Sequence, residues 1–323
     1  MNNLSRRRFL TITAAVALAP PLAARAGTPP LQTWRGRALG AEAEIRLYHP
    51  DAGAARMALA AAVDDLERLE KVFNLFDPAS SLSRLNREGH LDAPPLDLVR
   101  ALGESARISS ITNGAFDATV QPVWALYAGI LARTGRAPNE SELAAVRPLV
   151  DWRNVEVSER RIRFARRGMA VTLNGMAQGY ITDRVAERFA ATGFPHVLVD
   201  LGELRAPANL PDGSPWSVAV RDPDDTAKEL RRLELAEGAL ATSEAFGSSF
   251  RTGQHDGHII DPANLTRAVE VASVTVRAPT ATIADLLSTA IAVGGPARAR
   301  DWLSRSGAQC ALIMDGRRAV LEV

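Results

Sequence analysis

Asp285, Ser288 and Thr289 stand i, i+3 and i+4 apart in Ala284-Asp285-Leu286-Leu287-Ser288-Thr289. In a helix that spacing puts three oxygens on one face of an otherwise apolar segment. One carboxylate and two hydroxyls are hard donors that suit Mg²⁺ or Ca²⁺. Mg²⁺ characteristically takes one carboxylate and completes its shell with water and substrate phosphates. The same residues can instead form an N-terminal cap, with Asp285 and Ser288 accepting free backbone N–H groups, and spacing alone favours the cap. His258 lies in Gly257-His258-Ile259-Ile260-Asp261-Pro262, beside an apolar pair and a turn. Imidazoles exchange protons near neutrality, so His258 is a candidate general base, although a lone histidine is more often structural. Gly114-Ala115-Phe116-Asp117-Ala118-Thr119 and Asn174-Gly175-Met176-Ala177-Gln178-Gly179-Tyr180 each set glycine ahead of a helix. Backbone N–H groups there can receive phosphate, or simply start the helix. Neither segment matches a dinucleotide-binding or P-loop pattern.

These segments must be positioned by a mixed set of elements. Thr33 to Tyr48 alternates Ala41, Ala43, Ile45 and Leu47 with polar neighbours, which predicts one strand with a buried face after a turn at Arg35-Gly36. Asp51 caps a helix whose apolar stripe is read as Met57, Ala61, Leu66, Leu69 and Phe73, ending before Phe76-Asp77-Pro78. Helices are predicted at Leu96 to Ser110, Val120 to Leu131, Ser141 to Val146, Met176 to Ala191 and Ile283 to Val293. Strands are predicted at 155–157, 161–164, 169–173, 197–199, 216–220, 233–235, 271–276, 311–314 and 320–323. No fixed-period repeat intervenes, so the class is α+β around at least one twisted sheet.

The chain of 323 residues carries net charge +1 and no basic cluster after its first residues, which argues against nucleic acid and acidic membrane surfaces as partners. Its one cysteine, Cys310, excludes a disulfide within the chain and reads as a buried strand residue. Ser5-Arg6-Arg7-Arg8-Phe9-Leu10 precedes an apolar run to Ala19 and then Ala24-Arg25-Ala26. That is the pattern of a cleavable twin-arginine signal over residues 1–26, with a mature domain over 27–323 and a periplasmic destination. The apolar run falls short of the roughly 20 residues that span a bilayer, so no membrane span is expected in the mature chain. The twin-arginine route carries folded proteins, so a cofactor bound before export becomes plausible.

Seven segments resemble the ApbE family in sequence and in order. They are Phe76-Asp77-Pro78 through Asn86, Gly114 to Thr119, Gly175 to Asp183, Pro215-Trp216, Ala241-Thr242-Ser243, His258 to Pro262 and Ala284 to Thr289. The resemblance spans residues 33 to 320 and implies an ApbE-like, T-fold-related arrangement of mixed sheets with packed helices. It further implies an FAD:protein FMN transferase. In that reading Mg²⁺ joins Asp285, Thr289 and Ser288 to the carbonyl of Gly175 at the diphosphate of FAD. The flavin lies between Leu39-Gly40 and Phe76, while Ala115, Phe116, Asp117, Gln178 and Ile259 contact other parts of FAD. His258 is the implied base, and the implied acceptor is a Ser or Thr hydroxyl of a partner flavoprotein, such as a membrane-bound electron-transfer component. Two other activities fit the same motifs: an FAD carrier without transfer, and an FAD hydrolase giving FMN and AMP. Leu39, Phe76, Thr172 and Gln178 depart from the residues common in the family at those places. The segment 200–205 has a single glycine where two are usual. Glu244 and Leu265 replace glycines, where a required positive φ would be costly.

Overall fold

A computed structural model describes residues 16–18, 28–223, 225–244, 257–268, 271–315 and 319–323. The expected leader, residues 1–26, lies outside the described residues except for β1 (Val16–Leu18), which pairs antiparallel with the strand Trp216–Asp222. The region read as one strand from Thr33 to Tyr48 is a hairpin of β2 (Leu31–Ala38) and β3 (Ala41–Tyr48). Its turn is at Leu39-Gly40, and Arg35-Gly36 lies within β2. Leu39 and Gly40 have φ of 47° and 89°. Positive φ at both central residues is what a two-residue hairpin turn demands. Leu39 bears it at a cost of about 1–2 kcal/mol, and its N–H donates to the carboxylate of Glu70.

Glu70 belongs to α1 (Ala52–Phe73), capped by Asp51, whose Oδ1 accepts from Gly53 N at 2.7 Å and Ala54 N at 3.0 Å. Its buried face runs through Ala55, Leu59, Ala62, Leu66 and Leu69, whereas Met57 is 71% exposed. The N-terminal half of the stripe is therefore out of phase with the expected one, because Ala55, Leu59 and Ala62 rather than Met57 and Ala61 carry it against the core. Next come α2 (Ser81–Glu88), β4 (His90–Asp92), α3 (Leu96–Ile111), α4 (Gln121–Thr134) and α5 (Glu140–Val146), followed by β5 (Val155–Val157) and β6 (Arg161–Phe164). Strands β4, β6 and β5 form a small antiparallel sheet. The strand expected over 169–173 belongs to no ladder. The Asn86 side chain takes the place of a neighbouring strand there, donating to Val171 O at 2.8 Å and accepting from Val171 N at 2.7 Å.

The chain then lays down α6 (Ala177–Ala191), β7 (Val197–Asp200), β8 (Leu204–Ala206), β9 (Trp216–Asp222), β10 (Asp225–Leu235), β11 (Gly238–Glu244) and β12 (Val271–Ala278). It ends with α7 (Ala281–Gly294), α8 (Pro296–Ser306), β13 (Cys310–Asp315) and β14 (Val320–Glu322). An eight-stranded sheet runs in the order β14-β13-β12-β11-β8-β7-β3-β2, and β9 and β10 form a separate ribbon with β1. The recorded pairings are antiparallel. The main core lies between this sheet and α1, α3, α6 and α7. Cys310 lies in β13 as expected but is half-buried. No helix among the described residues is long and apolar enough to cross a membrane.

Candidate functional site

Helix α7 begins without help from Asp285. Its own cap is Thr280, whose side chain accepts from Ile283 N at 3.2 Å. The first two amides of α7 are held from another helix. Asp183 of α6 accepts from Ala281 N and Thr282 N, each at 2.8 Å, and from Thr282 Oγ1 at 2.6 Å. The capping alternative for Asp285 is therefore filled by Thr280 and Asp183. Asp285 instead points across to α6, where its Oδ2 accepts from Gly179 N at 3.1 Å.

That bond requires close approach of the two helices. A Cβ on Gly179 would lie 2.4 Å from Ala281 O and 2.9 Å from Asp285 Cβ, so only glycine fits between them. Asp285 is 5% exposed, and burial pushes its carboxyl up to about 7, opposed by the Gly179 N–H. Glu203, at the start of β8, is buried beside it, and its carboxyl is held well above the ordinary range by burial and by the neighbouring Asp285. Its Oε2 accepts from Thr242 N at 3.1 Å. A buried acid of this kind belongs beside cations or protons, since an isolated buried charge is very costly.

Gly175 meets α7 one turn further along. A Cβ there would sit 2.9 Å from Thr289 Oγ1 and 3.3 Å from the Phe116 ring. Two distant segments, those of Phe116 and Thr289, thus converge on Gly175. Its neighbours Asn174, Ala177 and Gln178 line a cavity of about 340 Å³ with Leu39, Gly40 and Phe76. The neighbours of Phe116, Ala115 and Asp117, line a second cavity of about 410 Å³ with Asn113, Trp152, Arg153 and Arg298. The contact of Gly175 with Phe116 and Thr289 thus links a segment that lines one cavity to segments that line the other. The residues expected around the flavin, Leu39, Phe76 and Gln178, are therefore gathered at one cavity, while Ala115 and Asp117 are gathered at the other.

Several of these side chains also have partners within the protein. Phe116 and Ile259 are core residues, 5% and 8% exposed. The Asp117 carboxylate is committed within the protein, accepting from Thr119 N at 2.8 Å, Thr119 Oγ1 at 2.6 Å and Trp152 N at 3.0 Å. Ser288 is fully buried, and its hydroxyl donates to Asp285 O at 2.9 Å. Ser243 Oγ lies 2.7 Å from Ser288 Oγ and 3.2 Å from Thr289 Oγ1. Buried Gln178 donates to Leu201 O at 3.4 Å and fills the space over Gly202, where a Cβ would meet its amide at 2.2 Å. His258 is half-buried, next to Ile259, whose carbonyl accepts from Ala268 N at 2.9 Å.

Of the two replaced glycines, Leu265 does adopt φ of 62°. The turn is held by Leu265 N donating to Asp261 O at 2.8 Å and by Tyr127 Oη donating to Leu265 O at 3.2 Å. The fully buried leucine side chain offsets the strain, since such burial contributes about 1.5–3 kcal/mol. Glu244, at the end of β11, pairs with Ser273 of β12 and needs no positive φ.

Asp183, Gly179, Glu203 and Ser243 are the site residues that motif reading left without a role. Three of them sit inside the ordered segments already noted. Glu203 was signalled only by an acid between Leu201-Gly202 and Leu204. The Asp285 carboxylate and the Thr289 hydroxyl, one turn apart on α7, are hard oxygen donors whose chemistry fits a Mg²⁺-type cation. No group of three or more His, Cys, Asp or Glu side chains able to hold a metal occurs among the described residues.

The chain matches the model of the ApbE family over residues 39–314. It is 26% identical to an FAD:protein FMN transferase of Haemophilus influenzae over 327 residues, covering 95% of this chain and 93% of that protein. Its structure is similar to the flavin transferase ApbE from Vibrio cholerae, with TM-score 0.77 and 24% identity over 91% of this chain and 97% of the other. It is also similar to the Pseudomonas stutzeri flavinyl transferase ApbE in its apo form, with TM-score 0.77 and 25% identity over 92% and 96% of the two chains.

Proposed function

The chain belongs to the ApbE family, and from that premise we propose that it transfers FMN from FAD to a Ser or Thr hydroxyl of a partner protein, releasing AMP, in the periplasm. Support comes from the relatives' names, from the twin-arginine pattern at the N-terminus and above all from one observation. The Gly175–Thr289 contact, with Asp285 a turn away on α7, links a segment that lines one cavity to segments that line another of comparable size. A dinucleotide has that shape, two ring systems joined by a diphosphate. The cavity at Leu39, Gly40 and Phe76 takes the flavin, since the Phe76 ring offers a π face for stacking. The cavity at Asn113, Trp152 and Arg298 takes the adenosine half.

Asp285, Thr289 and the Gly175 carbonyl hold Mg²⁺, which when bound supplies positive charge to the diphosphate. Gly179 N keeps the Asp285 carboxylate turned to one rotamer. The acceptor hydroxyl forms a bond to the phosphorus on the FMN side as the bond to the AMP phosphate breaks, and AMP leaves with that bridging oxygen. His258 takes the hydroxyl proton. The acceptor is a flavoprotein, such as a membrane-bound electron-transfer component.

The test is the intact mass of an acceptor domain incubated with this protein, FAD and Mg²⁺. One FMN gained per acceptor, and no gain with His258→Ala, is the expected result. FAD bound stoichiometrically without an adduct would replace this reading by a carrier, and FMN and AMP released without an adduct would replace it by a hydrolase.

A further inference from the structure

Directions of three hydroxyl contacts beside α7 follow from hydrogen counting. A serine or threonine hydroxyl has one proton to give and two lone pairs to receive. Ser288 Oγ gives its proton to Asp285 O, a carbonyl that can only accept, at 2.9 Å. In the 2.7 Å contact between Ser243 and Ser288, Ser243 must therefore be the donor. Its proton is then spent, so in the 3.2 Å contact with Thr289 it must accept from Thr289 Oγ1. The chain of donation runs in one sense: Thr289 to Ser243, Ser243 to Ser288, Ser288 to the Asp285 carbonyl.

The end of that chain matters for chemistry. With its proton turned toward β11, Thr289 presents its lone pairs on the opposite side. Thr289 is half-buried while Ser288 is fully buried, and Thr289 Oγ1 is the atom that a Cβ on Gly175 would meet at 2.9 Å. A freely rotating hydroxyl would spend part of its time pointing its proton at a cation. Resting on the reading of Mg²⁺ at Asp285, Thr289 and Gly175, we propose that Ser243 is a positioning residue that locks the Thr289 hydroxyl as a lone-pair donor to the metal. Ser288 then serves as a link in the chain rather than as a ligand. Groups that orient a ligand commonly change metal affinity 10- to 100-fold when removed.

The experiment is a Mg²⁺ titration of chelator-treated full-length protein with FAD present, followed by calorimetry, for wild type, Ser243→Ala, Ser243→Thr, Thr289→Val and Ser243→Ala/Thr289→Val. We expect Ser243→Ala to weaken Mg²⁺ binding about 10-fold. Ser243→Thr, which keeps the hydroxyl, should restore it to within about twofold of wild type. The double variant should bind no more weakly than Thr289→Val alone, because the two residues act through one oxygen. Mg²⁺ affinity of Ser243→Ala equal to wild type, or losses that simply add in the double variant, would overturn the positioning role. A wild type with no saturable response to Mg²⁺ would instead sink the metal reading beneath it, so the two failures are separable.

Discussion

Carboxylates do opposite things at the α6–α7 junction and on the β4-β6-β5 sheet. On the sheet, Asp92 and Glu156 face solvent and pair with Arg161 and Arg163, Glu156 Oε1 lying 2.7 Å from Arg163 Nη2. Those arginines hold both carboxyls below their ordinary values. At the junction, Asp183, Glu203 and Asp285 are buried, and burial drives all three upward despite the amides that each accepts. The exposed pairs are well hydrated and contribute little to stability. Asp183 is offset by three donors and by Arg205 Nε at 3.5 Å, whereas Asp285 and Glu203 each accept a single backbone amide, the arrangement expected where a cation or a proton is to be received.

The contrast is most severely tested by removing its central group. On the proposed Mg²⁺ reading, Asp285→Ala should reduce FMN transfer on the order of 10²-fold or more, because a metal held at the diphosphate contributes several kcal/mol of charge stabilisation to phosphoryl transfer. Initial rates of acceptor labelling at saturating FAD check this, and a rate within threefold of wild type would remove Asp285 from the site. Gly179→Ala comes next. Its Cβ would lie 2.4 Å from the Ala281 carbonyl, a backbone atom that cannot swing away. Overpacking of this kind costs about 3 kcal/mol, seen as a lower midpoint in urea, and an unchanged midpoint would mean that the helices are less tightly apposed than described.

Acid–base behaviour separates the two regions by sign. A carboxyl whose folded pKa is raised is protonated in the native state while the unfolded chain is already ionised, so stability falls as pH rises from the unfolded to the folded value. For Asp285, metal-free protein should lose stability relative to Asp285→Asn between pH of about 4 and about 7. The exposed acids with lowered values behave the other way, and their contribution is lost as pH falls. Thermal melts of both proteins across that range decide it, and parallel curves would show that Asp285 is not strained by burial. The smallest effect belongs to Glu156→Gln on the sheet. Loss of a solvent-exposed ion pair should leave the urea midpoint and transfer essentially unchanged. A clear loss would show that the sheet supports the site in a way its exposure does not suggest.

Periodicity and caps were legible in the chain itself wherever the information was local. Asp51 at the start of α1, the oxygens of Asp285 and Thr289 on one face of α7, and most strands could be read because helix and strand repeats are properties of a few consecutive residues. The order of the motifs was enough to identify the family. Reading failed where one segment substitutes for another. Residues 169–173 have strand composition, but the side chain of Asn86 occupies their hydrogen-bonding edge. Leu39-Gly40 carries no strong turn signature, so the hairpin was hidden inside a continuous alternation.

Tertiary structure alone decided which alternative use of the same groups holds. Asp285 is released from capping because Asp183, about a hundred residues earlier, and Thr280 perform that task. Glu203 becomes a buried acid only because β8 lies beside β11 and its carboxylate meets Thr242. The sense of the hydroxyl chain through Ser243 depends on two hydroxyls of α7 meeting one of β11. Residue types and their local repeats set what each group is able to do. Burial and proximity, which exist only after distant segments pack, set the charge, the rotamer and the proton direction in which each group does it.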